Sequence, residues 1–328
     1  MAGIRDVAKR AGVSPATVSR VLNGTVKVNE DKRRRVFQAI DETGFKPNEV
    51  ARALFRKSSR CVGVIVPNIE NPFFNELARA IEDACYHNGL RVVLCNSEND
   101  EEKELRNLEI LRQVNADGVI LITHSVRTGQ AIRECGLPVI VLDRRVEDCG
   151  ELSFISADHF RGGVLAAEHL VSRGCRRIAC LQGAMRFTSS QARSEGYRLV
   201  CEKYALEERF IEAGFEYEDG IAAAQRLLER FPDTDGILAS NDLVALAVYK
   251  VLTRAGYRVP DEVRLIGFDD VRFSRLMTPE LTTVRQPISE MGRLAVQLLL
   301  DFENGAPVSK EYIFDVSLIE RETTRKGA

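Results

Sequence analysis

Ile4-Arg-Asp-Val-Ala-Lys-Arg-Ala-Gly-Val-Ser-Pro-Ala-Thr-Val-Ser-Arg-Val-Leu-Asn-Gly24 decides how this chain is read. Val7, Ala8 and Ala11 recur at helical spacing, with Arg5, Lys9 and Arg10 on the opposite face. Gly12 stops this first helix, because glycine takes a positive φ without penalty. Ser14 is a favourable N-cap, and Pro15 suits the first position of a second helix. That helix turns Val18, Val21 and Leu22 inward and leaves Ala16, Thr17, Ser19 and Arg20 outside, until Asn23-Gly24 ends it. Two short helices joined this way form a helix-turn-helix, whose second helix lies in the DNA major groove. The expected DNA contacts are Ser14, Pro15, Ala16, Thr17, Ser19, Arg20 and Asn23. Arg20 is the candidate for a base contact, to guanine, and Pro15 and Ala16 face bases by shape. A third amphipathic helix is predicted over 30–43, with Val36, Ile40 and the flanking Phe37 covering the pair and Lys32, Arg33, Arg34 and Arg35 outward.

An ordinary surface αα-hairpin would share this spacing, but charge argues against it. Residues 1–60 hold 14 Lys+Arg and 6 Asp+Glu, a net of +8; the other 268 hold 32 and 42, a net of −10. The total of −2 hides a basic head on an acidic body. Such a head suits phosphate neutralisation and a steep salt dependence.

The signature Asp6-Val-Ala-Lys-Arg-Ala-Gly-Val-Ser14, continued by Thr17-Val-Ser-Arg-Val-Leu-Asn23, resembles the head of the lactose/galactose repressor family. Gly44-Phe-Lys-Pro-Asn-Glu-Val-Ala-Arg-Ala-Leu54 extends the match. The resemblance implies a hinge helix here, with Arg52 and Leu54 at DNA and Leu54 as a wedge in the minor groove. Physical chemistry points the same way. A segment as short as 48–56 is not a stable isolated helix and orders only against a partner, and a leucine wedge kinks a duplex at a cost of roughly a few kcal/mol. A plain linker with an exposed leucine is the alternative.

A chain of 328 residues with 45% apolar content suggests two or three compact units. Its start carries no apolar signal-peptide core, and no run reaches transmembrane length, so a cytoplasmic protein is expected, with no membrane partner. Eight cysteines (Cys61, Cys85, Cys95, Cys135, Cys149, Cys175, Cys180 and Cys201) show no Cys-x-x-Cys spacing and read as reduced, mostly buried thiols.

After Arg60 the pattern becomes apolar strand, then helix, repeated. Strands are predicted at 61–66, 91–95, 118–123, 139–142, 177–181, 236–240 and 265–268, and helices at 74–87, 102–114, 160–173, 191–203, 220–230 and 242–255. Continuous apolar strands alternating with amphipathic helices imply α/β architecture with parallel sheets covered on both faces. The expected fold is an N-terminal helix-turn-helix head plus a periplasmic-binding-protein-like core of two doubly wound parallel-sheet lobes. The domains are a head at 1–47, a hinge at 48–60 and a core at 61–328. Within the core, one lobe takes about 61–158 and 288–318, and the other about 159–287 and 319–328.

In open α/β sheets ligands sit beyond the carboxyl ends of strands. The residues there are polar in both hydrogen-bonding senses, with phenylalanines among them, an inventory that suits a monosaccharide. Singly each has a plain alternative: Asp242 reads better as a helix N-cap than as a ligand. The core resembles the family's effector domain and the periplasmic sugar-binding proteins, and within the family the ribose repressors, through Asn71-Pro-Phe-Phe74, Val93-Leu-Cys-Asn-Ser-Glu98 and Met277-Thr-Pro-Glu-Leu-Thr-Thr-Val-Arg-Gln-Pro287. By motif the resemblance implies ligand contacts at Asn71, Phe73, Phe74, Asp143, Arg144, Arg193, Asn241, Asp269 and Gln286. Spacing back from Asn241 adds Phe215. The loop Gly183-Ala-Met-Arg-Phe-Thr-Ser-Ser190 departs from the family patterns.

The main reading is a repressor that binds a palindromic operator as a homodimer and releases it when a small sugar, ribose or a related pentose, closes the cleft. The end Ile319-Glu-Arg-Glu-Thr-Thr-Arg-Lys-Gly-Ala328 carries no apolar heptad, which favours a dimer over a tetramer. The alternatives within the family are a purine-type co-repressor-dependent regulator and a global carbon catabolite regulator. No enzyme is expected, with no catalytic residues, no cofactor and no metal. No Gly-x-Gly-x-x-Gly follows a strand, there is neither a phosphate loop nor a Gly-x-Ser-x-Gly elbow, and His87, His124, His159 and His169 lack metal spacing.

Overall fold

The computed structural model describes residues 3–23, 28–45, 58–123, 125, 127–147, 152–303, 305 and 311–325. Arg52 and Leu54, with the rest of the hinge up to 57, lie outside the described residues, as do His124, Cys149 and the side chain of Asn23. The chain divides into two compact units, Met1–Ser59 and Arg60–Ala328.

The first unit contains α1 (Ile4–Ala11), α2 (Pro15–Asn23) and α3 (Glu30–Thr43). Gly12 at φ +63° ends α1, its amide donating to the carbonyls of Ala8 and Lys9. The Asn29 side chain opens α3 by accepting from the Asp31 amide. Val7, Ala8, Ala11, Val18, Val21, Val36 and Ala39 form the core. Phe37 does not cover the helix pair as expected. It is 44% exposed and lies under the Arg33 guanidinium. Positions 36, 39 and 40 share the inward face of α3, and residue 37 is turned about 100° away from Val36.

The second unit is built on two six-stranded sheets. The first contains β1 (Cys61–Val66), β2 (Arg91–Asn96), β3 (Gly118–Leu121), β4 (Val139–Leu142), β5 (Ser153–Ala157) and β11 (Glu311–Phe314), in the order β11-β5-β4-β3-β1-β2 and all parallel. The second contains β6 (Ile178–Gln182), β7 (Arg209–Glu212), β8 (Gly236–Leu238), β9 (Arg264–Asp269), β10 (Thr282–Arg285) and β12 (Ser317–Ile319), in the order β12-β10-β9-β8-β6-β7. Among the described strands, β12 alone runs antiparallel, against β10. The helices are α4 (Pro72–His87), α5 (Glu101–Gln113), α6 (Gly129–Glu134), α7 (His159–Ser172), α8 (Thr188–Lys203), α9 (Tyr217–Arg230), α10 (Asp242–Arg254) and α11 (Ile288–Glu303). Strands such as Val62–Val66 are apolar throughout because helices cover both sheet faces.

The chain passes between lobes three times: from β5 to α7, from β10 to α11, and from β11 to β12. The last passage comes earlier than the expected boundary at 318, because Ser317 already pairs with Arg285 and Leu318 with Val284. Two glycines fix a contact that matters for the site. A Cβ on Gly163 of α7 would stand 2.2 Å from the Arg193 carbonyl oxygen, and one on Gly196 of α8 would stand 2.3 Å from that of Phe160. Only bare backbone lets α7 and α8 pack this closely, and their approach sets Arg193 beside His159.

Candidate functional site

On the head, Ser14 just before α2 and Pro15, Ala16 and Arg20 within it face solvent, with Thr17 and Ser19 half-buried. Ser14 Oγ accepts from the Thr17 amide at 3.2 Å and lies 2.9 Å from Thr17 Oγ1, which fixes the start of the helix. Arg10 Nε donates to Glu42 Oε2 at 2.5 Å and ties α1 to α3. That pair is exposed and contributes little to stability. The outer face of α2 is therefore a short row of small or cationic side chains on a rigid support, the form needed to enter a groove.

In the second unit, Asn71, Phe73, Phe74, Asp143, Arg144, Arg193, Phe215, Asn241, Asp269 and Gln286 all line one narrow space between the lobes, together with Ser189, with a cavity volume of about 20 Å³. Each stands at or just past a strand end or in the first turns of the following helix. Asn71 caps α4, its Oδ1 accepting from the Phe73 amide at 3.1 Å, which leaves its amide nitrogen for other work. Asn241 caps α10 through Val244 N at 2.8 Å and donates to the Phe215 carbonyl at 3.0 Å. Asp242 is thus not the cap. It is fully buried, accepting from Val271 N, Ser274 Oγ and Thr283 Oγ1, and burial raises its pKa to about 7.

Asp143 and Asp269 hold positive φ values of +65° and +118°. Such backbone costs of order 1–3 kcal/mol and is concentrated at functional sites. Both carboxylates are buried, yet they differ. Burial pushes Asp143 up, but His159, Arg144 and Arg193 outweigh it and bring its pKa down to about 2. Asp269 is pushed well above the usual carboxylate range by burial, despite Arg193 nearby, and accepts from Gln286 Nε2 at 2.7 Å. The Arg144 guanidinium is enclosed by three rings, 4.1 Å from the centroid of Phe187, 5.2 Å from Phe215 and 5.3 Å from Phe74. Burial brings its pKa down to about 10. Arg193 stacks 3.6 Å over Phe268 and donates to the Ser240 carbonyl.

The lobes also touch beside this space. Glu216 accepts from Asn68 at 2.9 Å and from Asn99 at 3.3 Å, and the Arg272 amide donates to Glu76 at 2.6 Å. Among the described residues, four buried lining atoms have no hydrogen-bond partner: Asp143 Oδ1, Arg144 Nε, Ser189 Oγ and Gln286 Oε1. They comprise two acceptors, one donor and a hydroxyl able to do both, walled by phenylalanine rings. That arrangement can hold a small neutral molecule rich in hydroxyls.

Three contributors were missed from the sequence: Phe187, Ser189 and His159. The first two sit in the loop at 183–190 and the start of α8, where no family pattern guided the reading; His159 stands alone at the start of α7. Among the described residues, no three His, Cys, Asp or Glu side chains converge as a metal site, and no helix is long and apolar enough to cross a membrane.

Comparison with known proteins adds to this geometry. The family of bacterial regulatory proteins called lacI matches residues 3–48, and a periplasmic binding protein-like domain matches residues 167–324. The chain is 39% identical over 328 residues to the ribose operon repressor of Halalkalibacterium halodurans, covering 100% of this chain and 98% of that one. The lac repressor dimer bound to operator and the anti-inducer ONPF superposes with a TM-score of 0.86 at 28% identity, over 98% of this chain and 99% of that one. A LacI family transcriptional regulator from Enterococcus faecium with bound ribose superposes with a TM-score of 0.73 at 31% identity, over 80% and 98% of the two chains.

Proposed function

The chain belongs to the lacI family of bacterial regulatory proteins, and from that membership and the cleft we propose a DNA-binding transcriptional repressor released from its operator by ribose or a closely related pentose. The head supplies the DNA contacts, with Arg20 at a base edge and Ser14, Pro15, Ala16, Thr17, Ser19 and Asn23 around it. Two copies are needed, because a single head makes few contacts and paired heads match a palindrome. Arg52 and Leu54 contact DNA between the heads, Leu54 as the wedge.

One observation carries the sugar reading. Ten residues expected to meet a ligand line a single space, and within it buried donors and acceptors have no protein partner. A pentose offers hydroxyls of both senses to these atoms and C–H faces to Phe74 and Phe215. The ionised Asp143 accepts from hydroxyls, while Arg144, Arg193 and the Asn71 amide donate. The relative with bound ribose and the ribose operon repressor at 39% identity support the choice of pentose.

A ligand shifts a two-state equilibrium only through its differential affinity for the two states. The sugar bridges the lobes, favours the closed angle and alters the spacing at which two hinges meet DNA. A coupling of about 1–3 kcal/mol is ordinary for such a switch. The test is a thermal-shift screen of ribose, other pentoses, hexoses and purines, followed by titration of the stabilising compound into the protein bound to a palindrome selected from random DNA. Ribose raising the melting temperature and releasing the palindrome is the expected result. Stabilisation by a purine with tighter DNA binding would replace this reading with a co-repressor.

A further inference from the structure

His159 belongs to neither the expected ligand set nor the lining of the cleft, yet it touches both of the cleft's principal charges. It opens α7, directly after the first passage between lobes, and is 5% exposed. Its Nδ1 accepts from Arg193 Nε at 3.3 Å and from Arg193 Nη2 at 3.2 Å. Its Nε2 lies 3.2 Å from Asp143 Oδ1. The two atoms do not complete a hydrogen bond, and among the described residues neither has another partner. Arg193 and His159 stand on helices of the second lobe, whereas Asp143 follows β4 of the first.

We propose that His159 is a positioning residue of the cleft: it locks Arg193 on its own lobe and receives Asp143 from the opposite lobe, so that closure sets both groups for a bound sugar. The inference rests on the pentose reading above and goes beyond it by assigning a residue that does not line the cavity.

The chemistry follows from the partners. A guanidinium only donates, so Nδ1 must keep its lone pair and the neutral ring carries its proton on Nε2. That proton faces Asp143 Oδ1, the orphaned acceptor. A doubly protonated ring would turn an N–H against the Arg193 cation. Burial and Arg193 hold the His159 pKa down, against the pull of Asp143 and of the neighbouring Asp158. The charged groups around it are therefore Asp143 from the first lobe, Arg193 from α8 and Asp158 from its own helix, with Asp269 acting on the far side of Arg193. When the lobes part, the ring meets water and its pKa moves back toward the ordinary value near 6.5. Protonation then opposes closure, and sugar affinity falls with pH below that value. Asp269 acts in the opposite sense, since burial raises its pKa and closure favours its protonated form.

The experiment compares wild type with His159→Gln and His159→Leu in the full chain. Ribose affinity is measured by calorimetry from pH 5.5 to 8, melting temperature without ligand, and imidazole tautomers by nitrogen-15 NMR. Expected are an Nε2–H tautomer for His159, about tenfold weaker ribose binding in the Leu variant, recovery of most of that loss in the Gln variant, and a fall in wild-type affinity below about pH 6.5 that the Gln variant lacks. If His159 only fills space, both variants lower the melting temperature while ribose affinity and its pH profile stay as in wild type, and the proposal is overturned. If wild type binds no ribose, the pentose reading fails on that result, and the tautomer still decides here: Arg193 and His159 share a lobe, so an Nδ1–H ring overturns the proposal and an Nε2–H ring upholds the lock on Arg193.

Discussion

Replacing Asp143 by Asn tests the electrostatics of the cleft most directly, because Asn imitates the protonated acid in nearly the same shape. Asp143 is 6% exposed, and its pKa is brought from 3.8 to about 2 by His159, Arg144 and Arg193, against the cost of burial. At about 1.4 kcal/mol for each pH unit, the folded protein prefers the ionised form by roughly 2 kcal/mol. A depressed carboxyl pKa contributes stability that is present above the unfolded value near 4 and lost as pH falls from there towards 2. Asp143→Asn should therefore unfold in urea with about 2 kcal/mol less free energy at pH 7, the gap narrowing below pH 4. The variant also loses charge-assisted hydrogen bonds to sugar hydroxyls, each worth about 1.5–3 kcal/mol, so ribose binding measured by calorimetry should weaken roughly 10- to 150-fold. Equal stability at pH 7 would refute the account of Asp143 as the carboxylate held ionised by three cationic or polar neighbours. Lost stability with intact ribose affinity would reduce Asp143 to a structural ion.

Gly163→Ala should cost about 1–3 kcal/mol in urea unfolding, since the added methyl meets the Arg193 carbonyl, a backbone atom that cannot swing aside; wild-type stability would show that α7 and α8 can part without penalty. Arg20→Ala, followed by fluorescence anisotropy on a selected palindrome and on scrambled DNA, should lose about 1–3 kcal/mol on the palindrome and far less on the scrambled site. Equal losses would make Arg20 a phosphate contact. Leu54→Ala should likewise weaken binding to the palindrome far more than to scrambled DNA, the outcome that the proposed wedge requires; equal losses on both would refute the wedge.

The strands buried on both faces were legible because such strands are apolar from end to end: Val62–Val66 and Val139–Leu142 admit no polar residue. Ser153–Ala157 was not, because two serines interrupt it, although every residue in it is buried. The edge strand Arg209–Glu212 hid for a similar reason, since it begins and ends on charges, whereas the edge strand Arg91–Asn96 keeps an apolar run, Val92–Cys95, and was legible. The cleft was legible for a different reason. Its members follow strand ends, so topology gathers residues that are remote in sequence; counting strands leads to the stretches that hold Asn71, Asp143, Asn241 and Asp269, and the resemblance singled out those residues within them. That rule assigns places to residues, not to their partners. It gave no sign that Asn241 rather than Asp242 would cap α10, nor that Phe187 would stack on Arg144 from a loop with no familiar pattern. His159 was invisible because its role depends on how close α7 comes to α8, and the glycines that set that distance read in sequence only as weak points of two helices.

The polar lining that makes the cleft selective also bears on how closure is driven. Among the described residues, Arg144 Nε, Ser189 Oγ and Gln286 Oε1 are buried without partners and Asp143 Oδ1 meets only the incomplete approach of His159 Nε2, at about 1–3 kcal/mol for each group so placed. Closure over nothing is penalised by these atoms, while Glu216 with Asn68 and Asn99, and Glu76 with the Arg272 amide, hold the lobes together from the rim. The two sets oppose each other, so the balance between open and closed lobes is a difference of a few kcal/mol between larger quantities. A sugar that satisfies even two of the orphaned atoms shifts that balance by the amount ordinary allosteric coupling requires. An apolar ligand of the same volume leaves the four atoms unsatisfied and cannot shift it, however well it fills the space. Selectivity for a hydroxylated ring and the capacity to switch are then one property of the cleft, and a variant that replaced the orphaned groups by apolar ones would favour closure while losing the reason to respond.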